Sequence, residues 1–402
     1  MNKLKTWVIN FSLVLGSIAT AFGLTELGLR MALIPGYQNV TEAVNWAPTE
    51  FHTTDRDRAW ALKPGASGWW RSEGETYIKI NSQGWRDVEY SKAKPSDQIR
   101  IAVLGDSFTE AFQVPLEQTF LAVIERQLKS CESLQEKTVK TLNFGVQGYS
   151  TAQELMTLQT QVWKYNPDWV ILAFYTGNDI INNSPKLEYD RYRPFFRLEN
   201  QELVLDNSFR QLNIFERNPY AVSKVDQFFG EWGNGSRILY LVRKIELESK
   251  KRQLGKDFVK LRGKSFKEPG DKVWKEAWEI TEKLILKMAA EVKQNQAKFM
   301  VVTLSDPKQV DYDPAKRQAF KDRHNITNLF YPDQRIQTLG ENNNIPVISL
   351  VEPFQNYAEK HQTCLHGFEN AAACGGHWNS KGHQLAGELI ADQFCKQVQE
   401  NG

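Results

Sequence analysis

Several protein classes are excluded by what this chain lacks. No block of Lys and Arg stands out and the formal net charge is only +2, so there is no electrostatic footprint for nucleic acid. No internal repeat or low-complexity tract is present. Wholesale disorder is excluded by a composition that is 41% hydrophobic and 24% charged, ordinary for a globular protein. The Gly-x-Ser-x-Gly elbow that marks one large class of serine hydrolases is missing, which disfavours that fold. Cysteine is sparse, with four in 402 residues: Cys131, Cys364, Cys374 and Cys395.

One long apolar run is present, at the N-terminus. Lys3 and Lys5 precede an apolar stretch from Trp7 to about Leu24. It matches the ~17–25 residues that a bilayer span needs. Basic residues before it favour a cytoplasmic amino terminus, which puts the remainder outside the cytoplasm. Helical patterning continues through Leu27, Leu29 and Met31, so an uncleaved single-pass anchor over 1–33 is expected. The alternative is a signal peptide cleaved near Ala19-Thr20-Ala21. Either reading exports the domain to an oxidising compartment, where four cysteines permit two bridges and three pairings. Cys364 with Cys374 would close a short loop, and Cys131 with Cys395 would join the first and last helices of a sheet domain. Cys364-x-His366, Cys374-x-x-His377 and nearby His361 also offer zinc-type ligands, but oxidation of both thiols makes the bridge the preferred reading and no metal is expected.

Residues 34–97 carry Pro, Gly and several Trp without a long helical period. Tyr77-Ile78-Lys79-Ile80-Asn81 alternates like a short strand and Gln83-Gly84 supplies a turn, so a β-containing lead-in is expected. From Gln98 strands and helices alternate, the pattern of a parallel sheet. The strands are expected at Ile99–Leu104, Val139–Asn143, Trp169–Phe174, Phe299–Leu304 and Pro346–Leu350, with helices at Leu116–Lys129, Ala152–Lys164, Val273–Asn295 and Ser380–Gln399. The resulting fold class is α/β, a three-layer α/β/α flavodoxin-like sheet of about five parallel strands spanning 98–183 and 272–402. Residues 184–271 are too long for one crossover and read as a helical insertion or cap, with an amphipathic helix over Ile238–Gln253 and another candidate over Val222–Trp232.

Four blocks fall at strand ends. Gly105-Asp106-Ser107 follows the first strand, and Asn143-Phe144-Gly145-Val146-Gln147-Gly148-Tyr149-Ser150 the second. Thr176-Gly177-Asn178-Asp179 follows the third, and Gly376-His377-Trp378-Asn379 precedes the last helix. In a parallel sheet all four converge at one edge. Ser107 is a candidate nucleophile whose proton His377 could take and later return to the leaving alcohol. The N–H groups of Ser107 and Gly148 and the side-chain amide of Asn178 are candidate oxyanion donors. His383 is the rival base, with a packing role as its simpler reading.

Together the four blocks resemble the GDSL-type SGNH hydrolases, a family named for a Ser, Gly, Asn and His in such blocks. Ser107, Gly148, Asn178 and His377 match those roles. The resemblance covers roughly 98–395 without the insertion. It implies a flavodoxin-like sheet and esterase, lipase, carbohydrate-deacetylase or acyltransferase activity. One position departs: the family usually has Asp three residues before the His, and here that position is Cys374. Glu352, Glu369 or a backbone carbonyl are the candidates to accept the imidazole Nδ1–H instead, and a Ser–His dyad without a third member is the alternative.

The expected function is that of an exported, membrane-anchored serine esterase that needs no cofactor. Its substrate would be a small-molecule or polysaccharide ester, acetyl or acyl, on an envelope carbohydrate or lipid. A polysaccharide O-acyltransferase using the same serine, with an envelope protein partner supplying the acyl group, is one alternative. A non-catalytic envelope binding or scaffold protein is the other.

Overall fold

A computed structural model of the chain describes residues 2–32, 50–212, 223–229 and 235–400. The first part of the expected lead-in, 34–49, and the ends of the candidate helix over 222–232 lie outside the described residues. The chain divides into two compact units, Met1–Trp46 with Leu212–Asp257, and Ala47–Gln211 with Phe258–Gly402.

The first unit holds the N-terminal helix, Asn2–Met31. Its segment Lys3–Met31 is long and apolar enough to cross a membrane. At its C-terminal end Glu26 accepts from the backbone N–H groups of Arg237 (2.8 Å) and Ile238 (3.1 Å), the otherwise orphaned donors that open the helix Arg237–Ser265. Lys224–Phe229 forms a further short helix.

The second unit is built on a parallel sheet. In chain order the strands of this unit are β1 (His52–Asp55), β2 (Ala59–Leu62), β3 (Ser67–Trp70), β4 (Thr76–Lys79), β5 (Gln98–Gly105), β6 (Thr138–Gly145), β7 (Trp169–Tyr175), β8 (Phe195–Glu199), β9 (Glu202–Asp206), β10 (Lys298–Leu304) and β11 (Val347–Ser349). The central sheet runs β11-β10-β7-β5-β6, with every neighbour pair parallel. Counting only these five strands, that order is 2-1-3-4-5, the flavodoxin-like doubly wound arrangement.

Two apolar layers follow from strand alternation. Ala102, Leu104, Val170 and Leu172 pack on one face with the helices Thr151–Thr160 and Lys272–Gln294. Ile101, Val103, Ile171 and Val302 face the other way, toward the helices Phe120–Leu128, Val351–His361 and Ser380–Glu400. The result is the three-layer α/β/α architecture. Cys131 is bonded to Cys395 and Cys364 to Cys374, so both cysteines of the zinc reading are committed to a bridge.

The lead-in holds more strand than its alternation suggests. β1 pairs with β2 and β3 with β4, both antiparallel, and Phe51, Leu62, Trp70, Ile78, Ile80 and Trp85 join the sheet's first apolar layer. The stretch 184–271 is not purely helical. β8 and β9 form an antiparallel hairpin whose two-residue turn, Asn200-Gln201, has φ of 51° and 69°. Positive φ at both turn residues is the type I′ geometry that matches strand twist. Short helices that apolar periodicity did not reveal, Pro307–Val310, Pro314–His324 and Tyr331–Asn343, fill the connection from β10 to β11. Two of these three are started by Asp caps followed by Pro, at Asp306-Pro307 and Asp313-Pro314.

Candidate active site

All four blocks reach the carboxyl edge of the sheet. β5 ends at Gly105, where a Cβ would lie 2.2 Å from Thr109 Oγ1; only glycine admits that close turn. Asp106 then caps the helical turn Ser107–Glu110 by accepting from Phe108 N–H at 2.9 Å. Ser107 is thereby presented at the first position of the turn.

His377 arrives from a loop tied down at several points. The Cys364–Cys374 bridge closes its base. Buried His366 hydrogen-bonds Gly376 O through Nδ1 (2.9 Å) and Ser305 Oγ through Nε2 (3.0 Å). Burial depresses His366 to about 4, so it stays neutral, with Nδ1–H donating to the carbonyl. The Gly367 N–H donates to His377 O at 3.0 Å. From this support the His377 ring places Nε2 2.7 Å from Ser107 Oγ. The two side chains are 270 residues apart in the chain.

The group behind the imidazole is one that the sequence did not single out. Glu73 Oε2 lies 2.5 Å from His377 Nδ1, and Glu73 Oε1 accepts the His377 backbone N–H at 2.8 Å. Neither Glu352 nor Glu369 takes this place; both side chains point to solvent, and the expectation of an acceptor there is corrected. Glu73 sits in the turn between β3 and β4. Asn370 clamps that turn, donating to Gly74 O (2.9 Å) and Arg71 O (3.1 Å) and accepting from Gly74 N–H (2.9 Å). A Cβ on Gly376 would fall 1.8 Å from Glu73 Oε1, so glycine at 376 is what admits the carboxylate. Burial pushes the Glu73 carboxyl up, but the hydrogen bonds and charge of His377 outweigh it and hold the group below its ordinary value. Ionised Glu73 accepting Nδ1–H leaves Nε2 free to receive the serine proton.

His383 does not compete. It is buried, its Nδ1 accepts the Phe120 N–H (3.3 Å), and its ring stacks on Phe120. Burial depresses it to about 3, so it is a neutral packing residue.

Asn178 opens the short helix Asp179–Asn182 after β7. Its Nδ2 donates one hydrogen to Asp106 Oδ2 at 3.1 Å, which fixes the amide and leaves its second N–H. Burial raises the Asp106 carboxyl to about 6, against the pull of Phe108 N–H, the His377 charge and the Asn178 amide. Gly148 has φ +74°. Most of the backbone polar groups around it are committed. Val146 N–H donates to Gly105 O, Tyr149 N–H to Val146 O, and Gln147 N–H to Glu110 Oε1. Gln147 O accepts from Trp60 Nε1, and Gly148 O from Arg193. Among the described residues the Gly148 N–H has no acceptor, as an oxyanion donor requires.

A serine hydroxyl on an imidazole whose far nitrogen is held by a carboxylate is the arrangement that activates serine for acyl transfer. Among the described residues no cluster of His, Cys, Asp and Glu could hold a metal ion.

No family model and no curated protein matches the chain. Solved structures similar to it include an acetyl xylan esterase (14% identity over 73% of this chain and 99% of that one, TM-score 0.35). A lipase/acylhydrolase from Enterococcus faecalis is similar at 14% identity, over 74% and 96%, with TM-score 0.37. A GDSL-like lipase from Bacteroides thetaiotaomicron is similar at 12% identity, over 74% and 88%, with TM-score 0.31. At these values the likenesses assign no activity, and the geometry of the site has to.

Proposed function

We propose that the chain is a membrane-anchored serine ester hydrolase of the SGNH type, acting on the extracytoplasmic side. The observation that carries the reading is the unbroken relay Ser107 Oγ, His377 Nε2, His377 Nδ1 and Glu73 Oε2, with contacts of 2.7 and 2.5 Å. As Ser107 attacks an ester carbonyl, His377 takes its proton and Glu73 stabilises the imidazolium that forms. The tetrahedral oxyanion is received by the N–H groups of Ser107 and Gly148 and by Asn178 Nδ2. Each such donor contributes about 3–4 kcal/mol to the transition state. Collapse expels the alcohol, protonated by His377, and leaves an acyl-Ser107. Water, deprotonated by the same imidazole, then releases the acid. No step calls for a cofactor.

The substrate class follows from export and from the family resemblance: an acetyl or acyl ester on an envelope carbohydrate or lipid. The presence of Glu73 where a triad acid is needed favours catalysis over a purely binding role. An O-acyltransferase would use the same acyl-enzyme, with a sugar hydroxyl replacing water.

The test is intact mass after treatment of the detergent-solubilised chain with a fluorophosphonate. One adduct is expected on the wild type, none on Ser107→Ala, and slow labelling on His377→Ala. Turnover of a chromogenic acetyl ester with and without a sugar acceptor separates hydrolysis from transfer. Equal labelling of wild type and Ser107→Ala, or an inert wild type, would overturn the proposal.

A further inference from the structure

We infer that Trp60, a lead-in residue on β2, is a positioning residue for the oxyanion site. Its indole N–H locks the peptide unit that supplies the Gly148 donor. The inference rests on the serine-hydrolase reading above and concerns how that site is held.

The Gly148 N–H belongs to the planar peptide formed with the Gln147 carbonyl. In a trans peptide the C=O and N–H point in opposite directions, so whatever holds the oxygen aims the hydrogen. Trp60 Nε1 donates to Gln147 O at 2.9 Å. No other donor to that carbonyl is present among the described residues.

The lock is needed because of the residue that carries the donor. Glycine at 148, with φ +74°, occupies both signs of φ with little penalty. Rotation of the 147–148 peptide about ψ of Gln147 and φ of Gly148 would redirect the N–H at small local cost. Backbone preference therefore does not choose the productive orientation. The indole does, and accepting its hydrogen bond also polarises the peptide and strengthens its N–H as a donor.

Trp60, itself partly buried, is held at its carbonyl and on its ring. Its carbonyl accepts the Tyr149 hydroxyl at 2.5 Å, and its ring meets the Tyr149 ring edge-on at 5.6 Å. The Arg193 guanidinium lies over the indole, 5.2 Å from its centroid, while Arg193 Nη1 donates to Gly148 O at 3.1 Å. The indole Cζ2 is 3.6 Å from where a Cβ on Gly148 would sit. The oxyanion loop is thus gripped by one residue from the lead-in and one from the segment after β7, while Glu73 of the lead-in holds the base. On this reading the lead-in is part of the catalytic apparatus.

The experiment uses the full chain with two replacements at position 60. Trp60→Phe removes the indole N–H and part of the ring. Site-specific incorporation of 3-benzothienylalanine, a sulfur isostere of tryptophan, removes the N–H alone. The readouts are kcat and KM for a chromogenic acetyl ester, affinity for a boronic acid that mimics the tetrahedral adduct, and the thermal midpoint. With the isostere, kcat and boronate affinity are expected to fall together by about tenfold, the size of one lost neutral hydrogen bond. KM should stay within about twofold, as for an interaction made only in the transition state. A variant that merely unsettles packing would lower the thermal midpoint and leave boronate affinity per folded molecule unchanged, which overturns the inference. So does an isostere with wild-type kcat. An inert wild type would instead sink the hydrolase reading, and this inference with it.

Discussion

Replacing Glu73 with Gln tests the site at its least expected member. The substitution keeps the size of the side chain and removes its charge. Glu73 Oε2 is 2.5 Å from His377 Nδ1, and the two side chains are only 15% and 24% exposed. When Ser107 yields its proton, a cation forms on the imidazole beside that carboxylate. Two unit charges about 4 Å apart at an effective dielectric of about 20 attract by about 4 kcal/mol. At 1.36 kcal/mol per decade, that is roughly a thousandfold in rate. The equivalent acid-to-amide change in a serine protease costs about 10⁴, because the amide also favours the wrong imidazole tautomer. The expected outcome is therefore a loss of about 10³ to 10⁴ in kcat with little change in KM. The rate of fluorophosphonate labelling reads Ser107 nucleophilicity directly and should fall in parallel. Glu73→Asp keeps the charge but draws it back by one methylene, and should fall between the two. Because His377 holds the Glu73 carboxyl below its ordinary 4.5, the wild type keeps this charge down to pH values below that figure. A Glu73→Gln protein that is folded and keeps more than about a tenth of wild-type kcat would refute the assignment of Glu73.

Two further substitutions probe the loop and a buried carboxyl. Gly148→Ala meets only Trp60 Cζ2 at 3.6 Å, so the methyl fits, but φ +74° costs a side-chain-bearing residue about 1–2 kcal/mol. A lower thermal midpoint with a lower kcat is expected; unchanged kcat would remove Gly148 from the site. Glu154, on the helix Thr151–Thr160, is fully buried, and neither carboxyl oxygen has a partner among the described residues. Burial, reinforced by the Asp106 charge, raises its carboxyl well above 4.5. A raised folded value means the unfolded chain releases this proton first. The group's contribution to stability is present below pH 4.5 and is lost as pH rises toward the folded value, by about 1.4 kcal/mol per pH unit. Glu154→Gln should thus raise the thermal midpoint more at pH 8 than at pH 5. An equal change at both would show the carboxyl to be ionised in the fold.

The elements legible in the sequence are those written in short-range pattern. Apolar runs ending in glycine or polar turns mark β5, β6 and β7, and their ends carry Ser107, Gly148 and Asn178. The long amphipathic helix Lys272–Gln294 is read to within a residue at each end because its periodicity is strong. The short helices Pro307–Val310 and Pro314–His324 are not, since one to three turns hold too few apolar positions to show a period. The β8–β9 hairpin hides for a related reason. Its turn is Asn-Gln and not the Asn-Gly or Asp-Gly that would announce it.

The support of the proposed site was illegible for a different reason. Glu73 stands in an exposed-looking Arg-Ser-Glu-Gly-Glu turn, 304 residues from His377. Trp60 is 87 residues from the carbonyl it holds, and nothing local distinguishes either from a surface glutamate or a core tryptophan. By itself the sequence determined which residues a parallel sheet would deliver to one edge, because strand direction and alternation are properties of neighbours along the chain. Which carboxylate orients the imidazole, and which side chains aim the Gly148 peptide, only the tertiary structure decided. Those choices depend on where two hairpins come to rest against the sheet.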